Sequence, residues 1–235
     1  MKLYAFSDFP LSGDPPTKPM DIFGENWKNH REKILSAWKK TITAGDTVIM
    51  AGDISWATHL EDALSDLKTL SALPGRKIIV RGNHDYWWNT VSKMKRMTDN
   101  AFEFIFNSAL SVENIALAGT RGWIPETSKK ITEEDKVIIL REQGRLERSL
   151  IEAEKFNCEK IFAILHYPPF DEQRRPTKMM EIMKSHGVTD CIYGHIHGKQ
   201  NFNNLPKELE GIQLHLTSSD YLDFKPLLLT EWNES

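Results

Sequence analysis

Short apolar runs alternate with stretches of helical periodicity along the chain, and this alternation constrains the fold more than any other feature. Residues 2–6, 47–50, 77–80, 115–118, 161–165, 191–193, 212–216 and 227–229 are brief, rich in aliphatic and aromatic side chains, and end in polar or glycine residues. They read as buried strands. Between them, residues 27–41, 58–70, 132–156 and 176–186 carry apolar side chains at helical spacing. Thr58 and Glu61 predict a capping box, in which each side chain takes a free backbone N–H at the start of a helix. Pro176 and Gly187 bracket the last helix in the way helix ends prefer. This order predicts an α/β fold, with helices covering a mixed sheet. With 235 residues and neither repeat nor linker, one domain over residues 1–235 is expected.

Composition narrows the function by exclusion. A formal net charge of −3 offers no basic field for a nucleic-acid backbone, so general nucleic-acid binding is not expected. No apolar run approaches the roughly 18 residues of a membrane span, and the first residues read as a core strand rather than a signal peptide. A cytoplasmic location without membrane association follows as the expectation. Cys158 and Cys191 suggest neither a disulfide framework nor a metal-type pair. A phosphate-binding loop of the Gly-x-x-x-x-Gly-Lys type and a Gly-x-Ser-x-Gly elbow are both absent, which disfavours an ATPase and a serine hydrolase.

In α/β folds, ligands bind beyond the carboxyl ends of the strands. Those positions hold Ser7-Asp8-Phe9-Pro10, Gly52-Asp53, Gly82-Asn83-His84-Asp85, His166-Tyr167 and Gly194-His195-Ile196-His197. Four of the eight histidines therefore sit at expected strand ends, beside carboxylates and an amide. Imidazole with carboxylate is a donor set for Zn, Mn, Fe or Co. If the Gly194–His197 segment is extended, His195 and His197 project to the same side.

In this order the blocks resemble the signature of the calcineurin-like metallophosphoesterases, over residues 8–197. The resemblance implies an α/β fold of two mixed β-sheets packed as a four-layer sandwich and flanked by helices. It implies hydrolysis of a phosphomonoester or phosphodiester through a dinuclear centre of two divalent metal ions, Mn, Fe or Zn. Asp53 would bridge the metals, Asp8 and His197 would hold the first, and Asn83, His166 and His195 the second. His84 would stabilise the transition state and protonate the leaving oxygen, with Asp85 orienting its imidazole. The substrate would be a small phosphoester, a nucleotide among the candidates.

The resemblance departs at Pro10, where the family pattern Asp-x-His supplies an imidazole. Proline has no donor atom there, nor a backbone N–H. A weak first metal site is expected, with Asp14 as the candidate substitute. The alternative reading is a catalytically impaired metal- or phosphate-binding module, against which the presence of His84 and Asp85 weighs. Other residues carry simpler readings. His30, His59, His186 and His215 read as surface or core fillers. Trp56, Trp87 and Trp88 read as packing under the loops before they read as a platform for a base. Arg121 reads equally as a phosphate-gripping residue and as a loop surface residue. The charge-rich stretch 133–154 reads as a solvated helix face or a dimer contact.

Overall fold

The computed structural model describes residues 1–18 and 20–232. The chain forms two compact units: Met1–Phe104 with Thr217–Ser235, and Ile105–Leu216. Each is built on one mixed sheet, and the α/β class with two mixed sheets flanked by helices is as expected.

In the first unit the strands are β1 (Lys2–Phe6), β2 (Thr47–Met50), β3 (Arg76–Ile79), β4 (Glu103–Phe104) and β11 (Leu227–Glu231). Their order is β11-β1-β2-β3-β4. The pairs from β1 to β4 are parallel, and β11 runs antiparallel along β1. All four residues of β2 are buried, as suits the middle of a parallel sheet covered on both faces. Helices α1 (His30–Thr41), α2 (Leu60–Ser71) and α3 (Val91–Met97) belong to this unit. Ile34 and Trp38 of α1 join Leu60, Ala63, Leu67 and Leu70 of α2 in its apolar core. The Trp38 indole donates to the Pro74 carbonyl at 2.9 Å, which lets a polar ring edge be buried at little cost.

In the second unit the strands are β5 (Ala109–Val112), β6 (Ile115–Thr120), β7 (Lys160–Leu165), β8 (Asp190–Tyr193), β9 (Glu208–Leu209) and β10 (Ile212–Leu216). Their order is β5-β6-β7-β8-β10-β9, parallel from β6 to β10 with antiparallel edges. Helices α4 (Glu133–Glu154) and α5 (Lys178–Ser185) cover it, through Leu146, Leu150, Ala153, Met179, Met180 and Met183. Among the described residues, no helix is long and apolar enough to cross a membrane.

Several local expectations change. The capping box is not at Thr58: α2 starts at Leu60, with His59 as its cap residue and no side-chain cap bond. Glu61 instead pairs with Lys93 at 3.0 Å. A capping box does form at α4, where Thr132 and Asp135 exchange backbone N–H groups at 3.1 and 2.9 Å. Trp27 closes a separate 3-10 turn, Glu25–Trp27, before α1 begins. The face of α4 is not wholly solvated, because Glu142 is completely buried and accepts from Thr120, Arg121 and Arg145.

His186 lies at the C-terminal end of α5, with Nδ1 2.7 Å from Glu154 and Nε2 3.0 Å from Glu147. Burial acts to lower its pKa, but the two carboxylates outweigh that and raise it above the ordinary value. A raised folded-state pKa stabilises fully below about 6.5, and the gain is lost as pH rises through the raised value. His186→Gln is therefore expected to lower the melting temperature more at about pH 5.5 than at about pH 9. An equal loss at both would remove the charge from the explanation.

Candidate metal centre

In the first unit, the chain beyond β1 and β2 stays laced together after the strands end. Asp8 N donates to the Gly52 carbonyl at 3.0 Å, Phe9 N to Asp53 at 2.9 Å and Leu11 N to Ile54 at 3.1 Å. This lacing holds Asp8 and Asp53 on adjacent parallel strand ends. Both are buried, at 1% and 5% exposure. Both also lie in the left-handed region, with φ of 58° and 54°. Aspartate tolerates that region better than most residues, and other described non-glycine residues share it, so what sets this pair apart is the burial of both carboxylates at adjacent strand ends.

The turn after β3 completes this arrangement. His84 N donates to Asp53 Oδ1 at 2.8 Å, which aims that carboxylate. Gly82 lies so close that a Cβ on it would meet Asp53 Oδ1 at 2.1 Å and Asp53 N at 2.2 Å, so only glycine fits. Asp85 is fully buried. Its carboxylate accepts from the backbone N–H groups of Gly82 (2.7 Å), Asp53 (2.9 Å), Ile54 (2.9 Å) and Ser55 (3.4 Å), and from the Trp87 indole (2.9 Å). The expectation that Asp85 orients the His84 imidazole is thus corrected: its oxygens are spent on the loops, because five N–H groups converge on them. The half-buried His84 ring packs between Trp56, at 5.7 Å between centroids, and Tyr86, at 6.1 Å.

Pro10 is buried in the same segment, and the half-buried Asn83 sits in the turn after β3. Asp14 does not replace the missing imidazole, since it is exposed and pairs with Arg31 at 3.0 Å. His30 is buried beside Trp27, and among the described residues its Nε2 has no hydrogen-bond partner. Burial is the main cause that lowers its pKa, offset in part by the Pro10 and Trp27 backbones.

In the second unit, His166 follows β7 and is fully buried. His166 N and Tyr167 N both donate to the Arg121 carbonyl at 3.0 Å, and Gly194 N donates to the His166 carbonyl at 3.1 Å. These bonds bring the ends of β6, β7 and β8 together. The Tyr167 and His195 rings lie 4.0 Å apart and tilted by 36°, and His166 meets His195 at 5.1 Å. The expected extended Gly194–His197 segment is not found. His195 has φ 69°, and Ile196 N bonds back to the Gly194 carbonyl at 2.8 Å, making a tight three-residue turn. Simple alternation therefore does not set where His195 and His197 point.

Arg121 is neither of the things expected of it. Its side chain is 13% exposed, pairs with Glu142 at 3.4 Å and stacks over Trp123 at 4.3 Å. Its contribution to this loop cluster is a backbone carbonyl, which no sequence motif marks. Of the tryptophans, Trp87 belongs to the core cluster and Trp56 and Trp88 pack on it, as expected, and Trp56 also stands beside His84.

Asp8 and Asp53 in the first unit, and His166 in the second, are each buried and each offer a donor atom of a kind that metal ions take. Carboxylate oxygen with imidazole nitrogen suits a divalent transition metal, so the donor chemistry fits. A model of the calcineurin-like phosphoesterases matches residues 1–199, and the chain belongs to that family. Among solved structures it is similar to the protein TT1561 of Thermus thermophilus, at 13% identity and a TM-score of 0.60, covering 96% of each chain. It is also similar to AQ665 of Aquifex aeolicus, a protein of unknown function, at 18% identity and a TM-score of 0.52, over 97% of this chain and 95% of that one. A third is the phosphopantetheinyl hydrolase PptH of Mycobacterium tuberculosis, at 12% identity and a TM-score of 0.53, over 100% and 98%. At such identities the likeness is one of fold. No curated protein matches the sequence.

Asp85→Ala would leave four backbone N–H groups and an indole N–H without their acceptor. It is expected to cost roughly 3–5 kcal/mol in urea denaturation, the range for unpairing buried partners of a charged group. A cost below about 1 kcal/mol would mean that the loops keep their form without the carboxylate.

Proposed function

We propose that this chain is a metal-dependent phosphoesterase, with residues 1–235 acting as one catalytic domain on a small phosphoester. The observation that carries the reading is the pair Asp8 and Asp53, buried, in the left-handed region and laced together at adjacent strand ends. Two carboxylates buried at adjacent strand ends add nothing to packing, but they fix two oxygen donors in one place. The donors proposed for two divalent ions, Mn, Fe or Zn, are Asp8, Asp53, Asn83, His166, His195 and His197. Bound there, the ions would supply an activated water and neutralise charge on the phosphoryl oxygens.

The remaining steps belong to side chains. Asp53, aimed by the His84 N–H, holds its carboxylate in one orientation. The His84 ring, half-buried and flanked by aromatic groups, is the group placed to deliver a proton to the leaving oxygen. Asp85 acts at one remove, as a positioning residue for the Asp53 and Gly82 loops. The chemistry needs no covalent intermediate and serves a mono- or diester alike. The family resemblance, the net charge of −3 and the absence of a long apolar helix among the described residues all favour a small ester over a polymer or a membrane. A cytoplasmic setting accords with them.

Pro10 supports the second reading, a metal- or phosphate-binding module with lost turnover. Losing one ligand should weaken the first metal at least as much as losing a partner behind a ligand, about 10–100-fold. Hydrolysis of bis(p-nitrophenyl) phosphate across a Mn²⁺ titration separates the two. Turnover that rises with metal and disappears in Asp53→Asn is expected, with Pro10→His shifting the titration to roughly tenfold lower Mn²⁺. Turnover only in Pro10→His would favour the binding module, and none in either protein would remove the phosphoesterase reading.

A further inference from the structure

We infer that an exposed aromatic strip beside His84 receives the leaving group of the ester, and that this group is a nucleoside. This rests on the reading of His84 as the group that protonates the leaving oxygen.

The strip is a continuous run of rings. Phe23 meets Trp56 at 6.1 Å, Trp56 meets His84 at 5.7 Å, and His84 meets Tyr86 at 6.1 Å. Single exposed apolar residues are ordinary on a protein surface. Here Ile22, Phe23 and Tyr86 are 77%, 60% and 60% exposed, and the run passes through the candidate proton donor. Firm backbone displays it. Phe23 closes the 3-10 turn Asp21–Phe23, its N–H bonds to the Met20 carbonyl at 3.0 Å, and buried Met20 and Trp27 anchor the chain on either side. Tyr86 N bonds to the His84 carbonyl at 2.8 Å, which fixes the tyrosine relative to the histidine.

Ring geometry points to the ligand class. Phe23 meets Trp56 at 90° and Tyr86 meets His84 at 80°, and both Phe23 and Tyr86 stay 60% exposed, so much of each ring is open to a ligand. An open, flat ring face gains most from another flat ring, whereas an acyl chain gains most from enclosure. Lys18 adds an ammonium, 5.8 Å from the centre of the Trp56 ring and bonded to the Trp56 carbonyl at 2.9 Å. A heterocycle offers acceptors that such a donor can reach.

The chemistry requires the leaving group to lie here. When the P–O bond to the nucleoside oxygen breaks, its electron pair stays on that oxygen. A proton delivered through His84 then makes the nucleoside hydroxyl, while a water oxygen bonds to phosphorus and loses its proton to solvent. Whatever is attached to the leaving oxygen therefore extends from His84 across its neighbouring rings.

Calorimetric titration of the full chain in Mn²⁺ tests this with three probes: the methylenephosphonate analogue of AMP, methylphosphonate and decylphosphonate. The AMP analogue is expected to bind at least roughly tenfold tighter than methylphosphonate. The double variant Phe23→Ala/Tyr86→Ala, at exposed positions that the core does not need, should bring that ratio close to one. Equal affinities in the natural protein, a ratio that survives the double substitution, or tighter binding of decylphosphonate would each overturn the inference. Failure of the hydrolase reading appears separately, as the absence of Mn²⁺-dependent cleavage of bis(p-nitrophenyl) phosphate, and leaves the binding ratio measurable.

Discussion

The first unit depends on one buried carboxylate. Asp85 gathers N–H groups from the Gly82 turn, from the Asp53–Ser55 loop and from the Trp87 ring, so the segments after β2 and β3 share one acceptor. Burying a carboxylate costs several kcal/mol before its bonds are counted. That cost is tolerable because each N–H would otherwise be an unsatisfied donor in the interior, and bonds to a charged acceptor are stronger than neutral ones. Once the two loops share Asp85, the position of Asp53 follows. Gly82 approaches it within contact distance, and the His84 N–H takes one of its oxygens.

The second unit uses the same device in a different form. Glu142, completely buried on α4, accepts from Thr120 at the end of β6 and from Arg121 and Arg145. It ties the covering helix to the strand end from which the Arg121 carbonyl holds His166 and Tyr167. In both units a buried acid organises the backbone, and the backbone in turn presents the donors. The acids themselves stand one step behind the donor loops.

Much of this is legible in the sequence, for physical reasons. Strands β1 and β2 begin and end where their apolar runs do, because a nearly wholly buried strand leaves an unbroken signature, and β10 keeps its expected bounds through alternation of buried Ile212, Leu214 and Leu216. The two-residue strands β4 and β9 leave none, since their pairing is set by neighbours rather than by their own side chains. The glycine and histidine blocks do follow strands β2, β3, β7 and β8, as their spacing predicts. What escapes is what backbone conformation decides. The turn at His195 breaks the expected alternation, Asp85 bonds to amides and not to an imidazole, and Arg121 contributes a carbonyl. Spacing groups Trp56 with Trp87 and Trp88, and all three do pack in or on the core, but only the structure shows that Trp56 also meets the His84 ring.

The left-handed conformations of Asp8 and Asp53 set the stability of the chain against the placement of its carboxylates. At each position glycine would relieve about 1 kcal/mol of backbone strain, and Asn would keep the shape without the charge. The two carboxylates therefore cost the fold what neither neutral replacement would, and any stability gained by substitution at Asp8 or Asp53 would come with the loss of a charged oxygen donor.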